Sequence, residues 1–363
     1  MIIQSLPRRQ VRPPAVVAIP ARNEAERIVA CLEALDRQTT PPDSVVVLFN
    51  NSSDAGETIA RGMQVGFDLR IAAVDLPPDA SGAGRARRMV MERAAQIAGP
   101  GGILLTTDAD GTVSPDWVQR NVAGLLAGAD VVCGRAIINP VEAALIPQHL
   151  HDDDTLERRL SDLIDEMAWV IDPDPADPLP RHTEASGASL AVWVSAWRRA
   201  GGIPPIVTAE DRGFVEALRW LDARIRHDPE IAVVVSGRTV GRASGGMADA
   251  IRRRMVQQDA FIDEALEPPA DALFRLTLRA RARAVWATQW RDPSLADDLD
   301  VAPENLRKAL SRPFFGAAWA ELEGQGVLVE RRRVRFTDLP REIAAAETLL
   351  AQMEVHSDSL AAA

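Results

Sequence analysis

Cysteine is scarce: Cys31 and Cys133 are the only two in 363 residues. No Cys or His spacing matches a zinc-ligand set, and a reducing, cytoplasmic setting is the expectation. Long apolar runs are missing as well. None reaches the roughly 18 residues that a membrane-spanning helix needs, and the opening MIIQSLPRRQVRPP has no apolar core of signal-peptide length. A chain that is soluble, or peripheral to a membrane at most, is expected. Positive charge is in deficit, with 41 Lys and Arg against 52 Asp and Glu, a net charge of -11. That balance argues against nucleic acid as a partner, while a local arginine cluster can still meet a small anion. No internal repeat is evident. No Gly-x-Gly-x-x-Gly opens the first helix, so a doubly wound dehydrogenase is disfavoured.

What is present is an alternation of short apolar runs and helical periods. Val16 to Ile19 reads as a buried strand broken by Pro20, followed by the polar turn Ala21-Arg22-Asn23-Glu24 and a helix through Ile28, Leu32 and Leu35. Val45 to Phe49 is an uninterrupted second strand, as expected where both faces are covered, and it ends in the polar loop Asn50 to Asp54. Ile71 to Val74 reads as a third strand, and Gly82 to Arg88 opens a helix through Ala95. A strand follows at Ile103 to Leu105, a helix at Val113 to Leu126, and a strand at Asp130 to Gly134. Such spacing implies an α/β, mostly parallel sheet wound on both sides by helices. From His149 to His182 an Asp-, Pro- and Arg-rich stretch around one amphipathic helix looks like an insertion covering a site. Regular structure resumes at Gly187 to Trp193, a helix runs from the Glu210-Asp211 region through Leu221, and Ile231 to Val235 is one more strand. Beyond residue 260 the pattern is helical, with a hairpin expected between Val327–Glu330 and Val334–Phe336.

The stretch GGILLTTDADGTVSPD, residues 101–116, places Asp108 and Asp110 at the carboxyl edge of a buried strand, where open α/β sheets hold their ligands. Two carboxylates there can hold a divalent cation that neutralises a diphosphate. The same spacing recurs at Asp152/Asp154, Asp172/Asp174 and Asp298/Asp300, but only the first pair follows a strand signal. A loop acid capping the next helix is the competing reading.

Taken in order, VVAIPARNE, VVVLFNNSSD, GAGRARRMVMERAA, GGILLTTDAD with VSPDW, and GASLAVWVSAWRRAGGIPPIVTAEDRGFVEAL resemble a family 2 glycosyltransferase of the nucleotide-sugar-binding GT-A (Rossmann-like) type. The resemblance covers roughly residues 14 to 245. It implies a catalytic domain over 14–250 with the 149–182 insertion near the acceptor side, followed by a mainly helical C-terminal extension over 260–363 without a family motif. It assigns Pro20, Arg22 and Glu24 to the nucleoside pocket, and the loop with Asn50 and Asp54 to the base. Asn50 stands where family members carry Asp, and an amide there can suit a base other than uracil. The Gly82 to Arg88 segment corresponds to the part beside the diphosphate. Gly84 would permit close backbone approach, the helix N-terminus favours anions, and Arg85 or Arg88 can make bidentate contacts. A solvated arginine face is the alternative, since at most two of the three arginines can point one way.

The same resemblance makes Asp108 and Asp110 the metal and diphosphate motif and Asp211 the general base of an inverting transfer, with Glu210 beside it orienting the acceptor. Without the resemblance, an acidic first helical turn explains that pair equally well. His227 lies near where relatives carry a third metal ligand, although a lone histidine is more often a satisfied core residue. Arg238 and Arg242 can grip the nucleotide diphosphate or an anionic acceptor from a Gly-flanked loop. Trp193, Trp197 and Trp220 offer sugar-stacking platforms or ordinary core. Arg279, Arg281, Arg283 and Arg331 to Arg333 read as solvated faces, with an anionic membrane surface as the minority reading.

The implied activity is metal-dependent (Mn or Mg) transfer of a sugar from a nucleoside diphosphate sugar to a hydroxyl acceptor, either soluble or approached at a membrane surface. Two alternatives stay open. A sugar-phosphate nucleotidyltransferase would need a Gly-rich basic loop where Ala21-Arg22-Asn23-Glu24 stands, and a non-catalytic nucleotide-sugar-binding protein would have no use for both Asp108/Asp110 and Asp211.

Overall fold

The computed structural model describes residues 12–77, 82–206, 208–241, 246–288 and 292–361, the last six of these by backbone alone. In the first half, β1 (Ala15–Ala21), α1 (Ile28–Asp36), β2 (Ser44–Asn50), α2 (Gly56–Gly62), β3 (Asp68–Val74), α3 (Ala83–Ala98) and β4 (Ile103–Thr106) alternate regularly. Next come β5 (Thr112–Val113), α4 (Trp117–Leu126), β6 (Val131–Ile138), α5 (Pro140–Ala143), α6 (Gln148–Ile171), β7 (Leu190–Trp193), α7 (Val194–Arg199), α8 (Glu210–Arg219) and β8 (Ile225–Val235). The remainder is helical: α9 (Met247–Val256), α10 (Pro269–Thr288), α11 (Leu295–Asp298), α12 (Pro303–Leu310), α13 (Phe315–Glu323) and α14 (Leu339–Ala361).

The strands form one mixed sheet in the order β3-β2-β1-β4-β7-β6-β8-β5. Neighbours β3, β2, β1 and β4 are parallel, β7 is antiparallel to both β4 and β6, β8 is parallel to β6, and β5 closes the edge antiparallel to β8. The apolar runs of β1 and β2 are continuous because both faces are buried. Val17 and Ile19 point into a core shared with Val47, Leu32 of α1 and Trp117 of α4, whereas Val16 and Ala18 point to the opposite core with Val90 of α3 and Phe214 of α8. Since β1, β2 and β4 are parallel, the loops after Ala21, Asn50 and Thr106 emerge along one sheet edge. That geometry gathers residues distant in sequence.

Two expectations are corrected. Val113 belongs to the short strand β5, so α4 begins only at Trp117. The hairpin at 327–336 does not form: a 3₁₀ turn covers Gly326–Leu328, another covers Phe336–Asp338, and Arg335 bridges instead to Phe261. Leu328 packs with Trp319 and Leu322, while Val334 and Phe336 pack with Leu160 of α6 and Leu339 of α14, so the two halves are drawn into different cores. The helix of the 149–182 stretch is likewise built into the C-terminal layer, with Leu160, Leu163 and Met167 against Leu339, Ala346 and Leu350. Among the described residues, no helix is long and apolar enough to cross a membrane.

Candidate active site

At the carboxyl edge the chain gathers an ionic cluster around one buried arginine. α3 carries its apolar stripe at Val90, Met91, Ala94 and Ala98, and Arg87 lies on that same stripe. Its guanidinium donates from Nη1 to Thr106 Oγ1 and to the Gly187 carbonyl, both at 2.8 Å, from Nη2 to Asp108 Oδ1 at 2.7 Å, and from Nε to Glu210 Oε1 at 3.0 Å. Burial opposes the charge, but Asp108, Glu210 and Asp211 together hold the Arg87 pKa above its ordinary value. One side chain thus joins the acid after β4 to the acids opening α8, about a hundred residues apart in the sequence. Two glycines allow this approach. A Cβ on Gly187 would lie 2.5 Å from the Arg87 guanidinium carbon, and one on Gly84 would lie 2.5 Å from the Ile206 carbonyl oxygen.

Asp211 completes the corner. Its Oδ2 accepts from the Gly187 N–H at 2.7 Å and its Oδ1 from the Arg212 N–H at 2.8 Å, which fixes the carboxylate while leaving it further lone pairs. Ala209 precedes it in a left-handed conformation, with φ of 57°, and turns the chain sharply into α8.

On the other side of Asp108 stands a second cluster. Arg238, just past β8, donates to both oxygens of Glu24 at 2.7 and 2.8 Å and lies 3.2 Å from Asp110. Burial first, then the neighbouring Asp108 and Glu24, push the Asp110 carboxyl up to about 6 against the opposing pull of Arg238. Cys31 sits beneath, its thiol donating to the Asp108 carbonyl at 3.5 Å, and burial with the nearby Asp110, Asp108 and Glu24 raises its pKa well above the ordinary thiol value. Arg27 pairs with Glu142 at 2.6 Å, and Glu142 in turn accepts from Ser236 Oγ and the Gly237 N–H. The loops after β1 and β8 and the start of α5 are therefore tied together.

The loops after β1 and β2 are also fastened to one another. Asn23, in a left-handed conformation, accepts from the Ser53 N–H at 2.7 Å, and its own N–H donates to Ser52 Oγ at 3.1 Å. Asp54 accepts from the backbone N–H groups of Ala25 and Gly56, so both of its oxygens brace the loops. Asn50 is buried at the end of β2, and Asn51 binds Leu76 through both its amide groups. Pro20 and Arg22 are half-buried on the same edge.

The structure thus brings Pro20, Arg22, Glu24, Asn50, Asp54, Gly84, Asp108, Asp110, Glu210, Asp211 and Arg238 to one edge. On α3 a third arginine, Arg87, comes to the acids. Arg85 is exposed and Arg88 turns to Glu92 and the Ile203 carbonyl. The place of Arg87 on the buried stripe was the signal that could have singled it out. Arg242 lies outside the described residues.

His227 is not brought to the pair. It faces Cys133 across β6 and β8, and Cys133 faces Leu190, which faces Thr106. Three strand spacings, about 14 Å, separate His227 from the strand that ends before Asp108, far beyond the reach of a shared ligand sphere. It is engaged with Asp177, whose Oδ2 lies 2.7 Å from His227 Nδ1. Burial opposes protonation, but Cys133 and Asp177 push its pKa up to about 9. His182 packs edge-on against it, lowered to about 4 by burial and by His227. Among the described residues, no group of three or more His, Cys, Asp or Glu is arranged to hold a metal. Two carboxylates suffice for a hard cation only when phosphate oxygens and water complete its shell, and that is the normal mode for Mg²⁺. The oxygen-only donors and the raised Asp110 pKa fit such a cation: positive charge there would relieve the crowding of Asp108, Asp110 and Glu24.

Of the tryptophans, Trp197 is core, Trp193 donates to the Ala129 carbonyl, and Trp220 is exposed at the end of α8, away from the acids that open it. Of the C-terminal arginines, Arg331 to Arg333 are exposed, as expected of a solvated face, and most of the group also carry ion pairs. Arg279 and Arg283 share Asp172, Arg281 pairs with Asp292 and Asp298, and Arg331 and Arg332 pair with Glu323 and Asp271.

Residues 16–174 match the family model for glycosyl transferase family 2. That match covers less than half of the chain, which is similar to the family over this stretch. The matched stretch includes Glu24, Arg87, Asp108 and Asp110, and the sheet flanked by helices is the α/β layering expected from the sequence. Glycosyltransferase AglE of Haloferax volcanii is 34% identical over 122 residues, 32% of this chain and 38% of that protein. The alignable part is thus less than half of that relative's length. Among solved structures, S. aureus TarS 1-349 in complex with UDP-GlcNAc is similar at a TM-score of 0.47 and 16% identity, covering 85% of this chain and 87% of that one. The mannosyltransferase PcManGT from Pyrobaculum calidifontis, in complex with GDP-Man and Mn²⁺, is similar at a TM-score of 0.45 and 19% identity, covering 89% of each chain.

Proposed function

We propose that this chain transfers a sugar from a nucleoside diphosphate donor to a hydroxyl acceptor, with the help of a divalent cation and with inversion at the anomeric carbon. The observation that carries this reading is Arg87, which bonds both Asp108 and Glu210 and so ties the proposed cation motif to the residue beside the proposed base Asp211. Residues 14–250 form the catalytic unit in this reading, with 149–182 toward the acceptor side.

Asp108 and Asp110 would hold the cation, whose chemistry when bound is to neutralise the departing diphosphate. Pro20, Arg22, Glu24 and Asn50 line the nucleoside end, and the loop held by Asn23 and Asp54 gives them a fixed platform. Asp211 is the base. Its carboxylate is oriented by the Gly187 and Arg212 N–H groups, with lone pairs left to accept the acceptor's hydroxyl proton as its oxygen attacks. Glu210 is bound to Arg87 and buried, so it positions Arg87 and α8 and does not meet the acceptor. Arg238 would have to trade part of its contact with Glu24 for a phosphate oxygen to act on the donor. The nucleotidyltransferase alternative loses ground because the turn after β1 places the acid Glu24 at the edge, paired with Arg238, where that chemistry wants a basic glycine-rich loop.

The test is release of nucleoside diphosphate from a panel of donors with Mn²⁺ or Mg²⁺, in the wild type and in Asp211→Asn. Loss of turnover with donor affinity unchanged supports the assignment; intact turnover in Asp211→Asn removes Asp211 from the role of base.

A further inference from the structure

A cavity lies where the C-terminal helices clamp the end of α8. It has a volume of about 320 Å³ and is lined by α8, α10 and α13, including Arg219, Trp220, Arg275, Arg279 and Trp319. The join is tight. A Cβ on Gly316 would fall 1.8 Å from the Arg219 carbonyl oxygen, and both oxygens of Asp222 accept N–H groups at the start of α13, from Phe315 at 2.6 Å and Gly316 at 2.7 Å.

Four acids and four arginines line this cavity, and three of the acids, Asp222, Glu267 and Glu323, are engaged away from Arg219 and Arg279. Glu267 holds Arg275 through both oxygens at 2.7 and 3.2 Å, Glu323 lies 3.1 Å from Arg331, and Asp222 caps α13. Arg279 shares its ion-pair partner with a second arginine. Its Nη1 and the Nε of Arg283 both lean on one oxygen of Asp172, at 3.2 and 2.8 Å, and both guanidiniums also lie over the Phe315 ring. Among the described residues, Arg219 pairs with Glu216 at 3.5 Å. Burial first, then Arg283 and Arg219, lower the Arg279 pKa against the opposing pull of Asp172 and Glu323.

We infer that this cavity binds a small oxyanion, of the phosphate monoester or carboxylate class, held by Arg279 and Arg219 with Trp220 at its side. Two guanidinium forks at the wall of a cavity suit planar or tetrahedral oxyanions. The occupant would touch the last turn of α8, a helix of ten residues and about 15 Å whose first turn carries Glu210 and Asp211. An anion there ties the C-terminal region to the helix that carries the proposed base.

The experiment is titration of the full chain with inorganic phosphate and, separately, with citrate, following Trp fluorescence and thermal stability. Saturable binding of at least one probe is expected, weakened about tenfold or more in Arg279→Met and about threefold or more in Arg219→Gln, with Asp211→Asn unchanged. Phosphate alone indicates a phosphate-sized site, and citrate alone a carboxylate site. No saturable binding by either probe overturns the inference, as does binding that survives both arginine substitutions. If Arg279→Met fails to fold, the half-exposed Arg219→Gln decides. The readout is binding without donor or acceptor, so it fails or succeeds independently of the proposed transferase activity.

Discussion

Replacing Arg87 by lysine tests whether one guanidinium joins the two halves of the site. Arg87 is buried to 6% side-chain exposure and makes four hydrogen bonds in four directions. Lysine keeps the charge but presents its donors at one point, so it cannot span Thr106, Asp108, Gly187 and Glu210 together. Losing one or two charge-assisted bonds costs about 1.5–3 kcal/mol each, and about 3 kcal/mol in sum after partial rearrangement. For a catalytic unit of this size, that lowers the melting temperature by about 6–12 °C. Arg87→Met goes further, because it leaves Glu210 buried opposite Asp108 with no cation, a loss of about 3–5 kcal/mol. Thermal unfolding of the three proteins, with nucleoside diphosphate release measured on those that fold, gives the expected order: wild type above Lys above Met in stability, with turnover falling in both variants. If both variants melted with the wild type and turned over normally, the bridging role of Arg87 would be refuted.

Other consequences follow from the same geometry. Gly187→Ala places a methyl group against the Arg87 guanidinium and is expected to cost about 1–3 kcal/mol, visible in urea unfolding; an unchanged midpoint would contradict it. Gly316→Ala forces α13 away from the Arg219 carbonyl, so limited proteolysis should cut the C-terminal helices faster than in the wild type, and equal rates would count against the clamp. His227 has its folded pKa raised from 6.5 to about 9, so its contribution to stability is full below 6.5 and is lost as pH rises through 9. The stability gap between wild type and His227→Gln should therefore narrow across that interval, whereas a constant gap would show that the His227 to Asp177 pair does not titrate there.

Much of this architecture was legible in the sequence because β1 and β2 are buried on both faces and so read as unbroken apolar runs, each ending in polar residues at the same sheet edge. Asp108 and Asp110 were visible for that reason: they follow the run Ile103 to Leu105 after only two threonines. Arg87 was harder to see, because Arg85, Arg87 and Arg88 stand together and only the stripe of Val90, Met91, Ala94 and Ala98 tells which of them turns inward. His227 misled in the opposite direction. Its partner Asp177 lies 50 residues upstream in the sequence, in the 149–182 stretch, and nothing local to His227 reports that pairing. The absent hairpin near 330 has a similar cause, since its two short apolar halves are claimed by separate helical cores that only the tertiary structure reveals.

The most direct measurement of the central claim is calorimetric titration of nucleoside diphosphate sugars into the wild type, Asp110→Asn and Asp211→Asn, each with Mn²⁺ and with chelator. Cation-dependent binding in the wild type, lost in Asp110→Asn and kept in Asp211→Asn, is the predicted pattern. Binding indifferent to the cation, or lost equally in both variants, would contradict a site in which Asp108 and Asp110 hold the donor while Asp211 serves the acceptor.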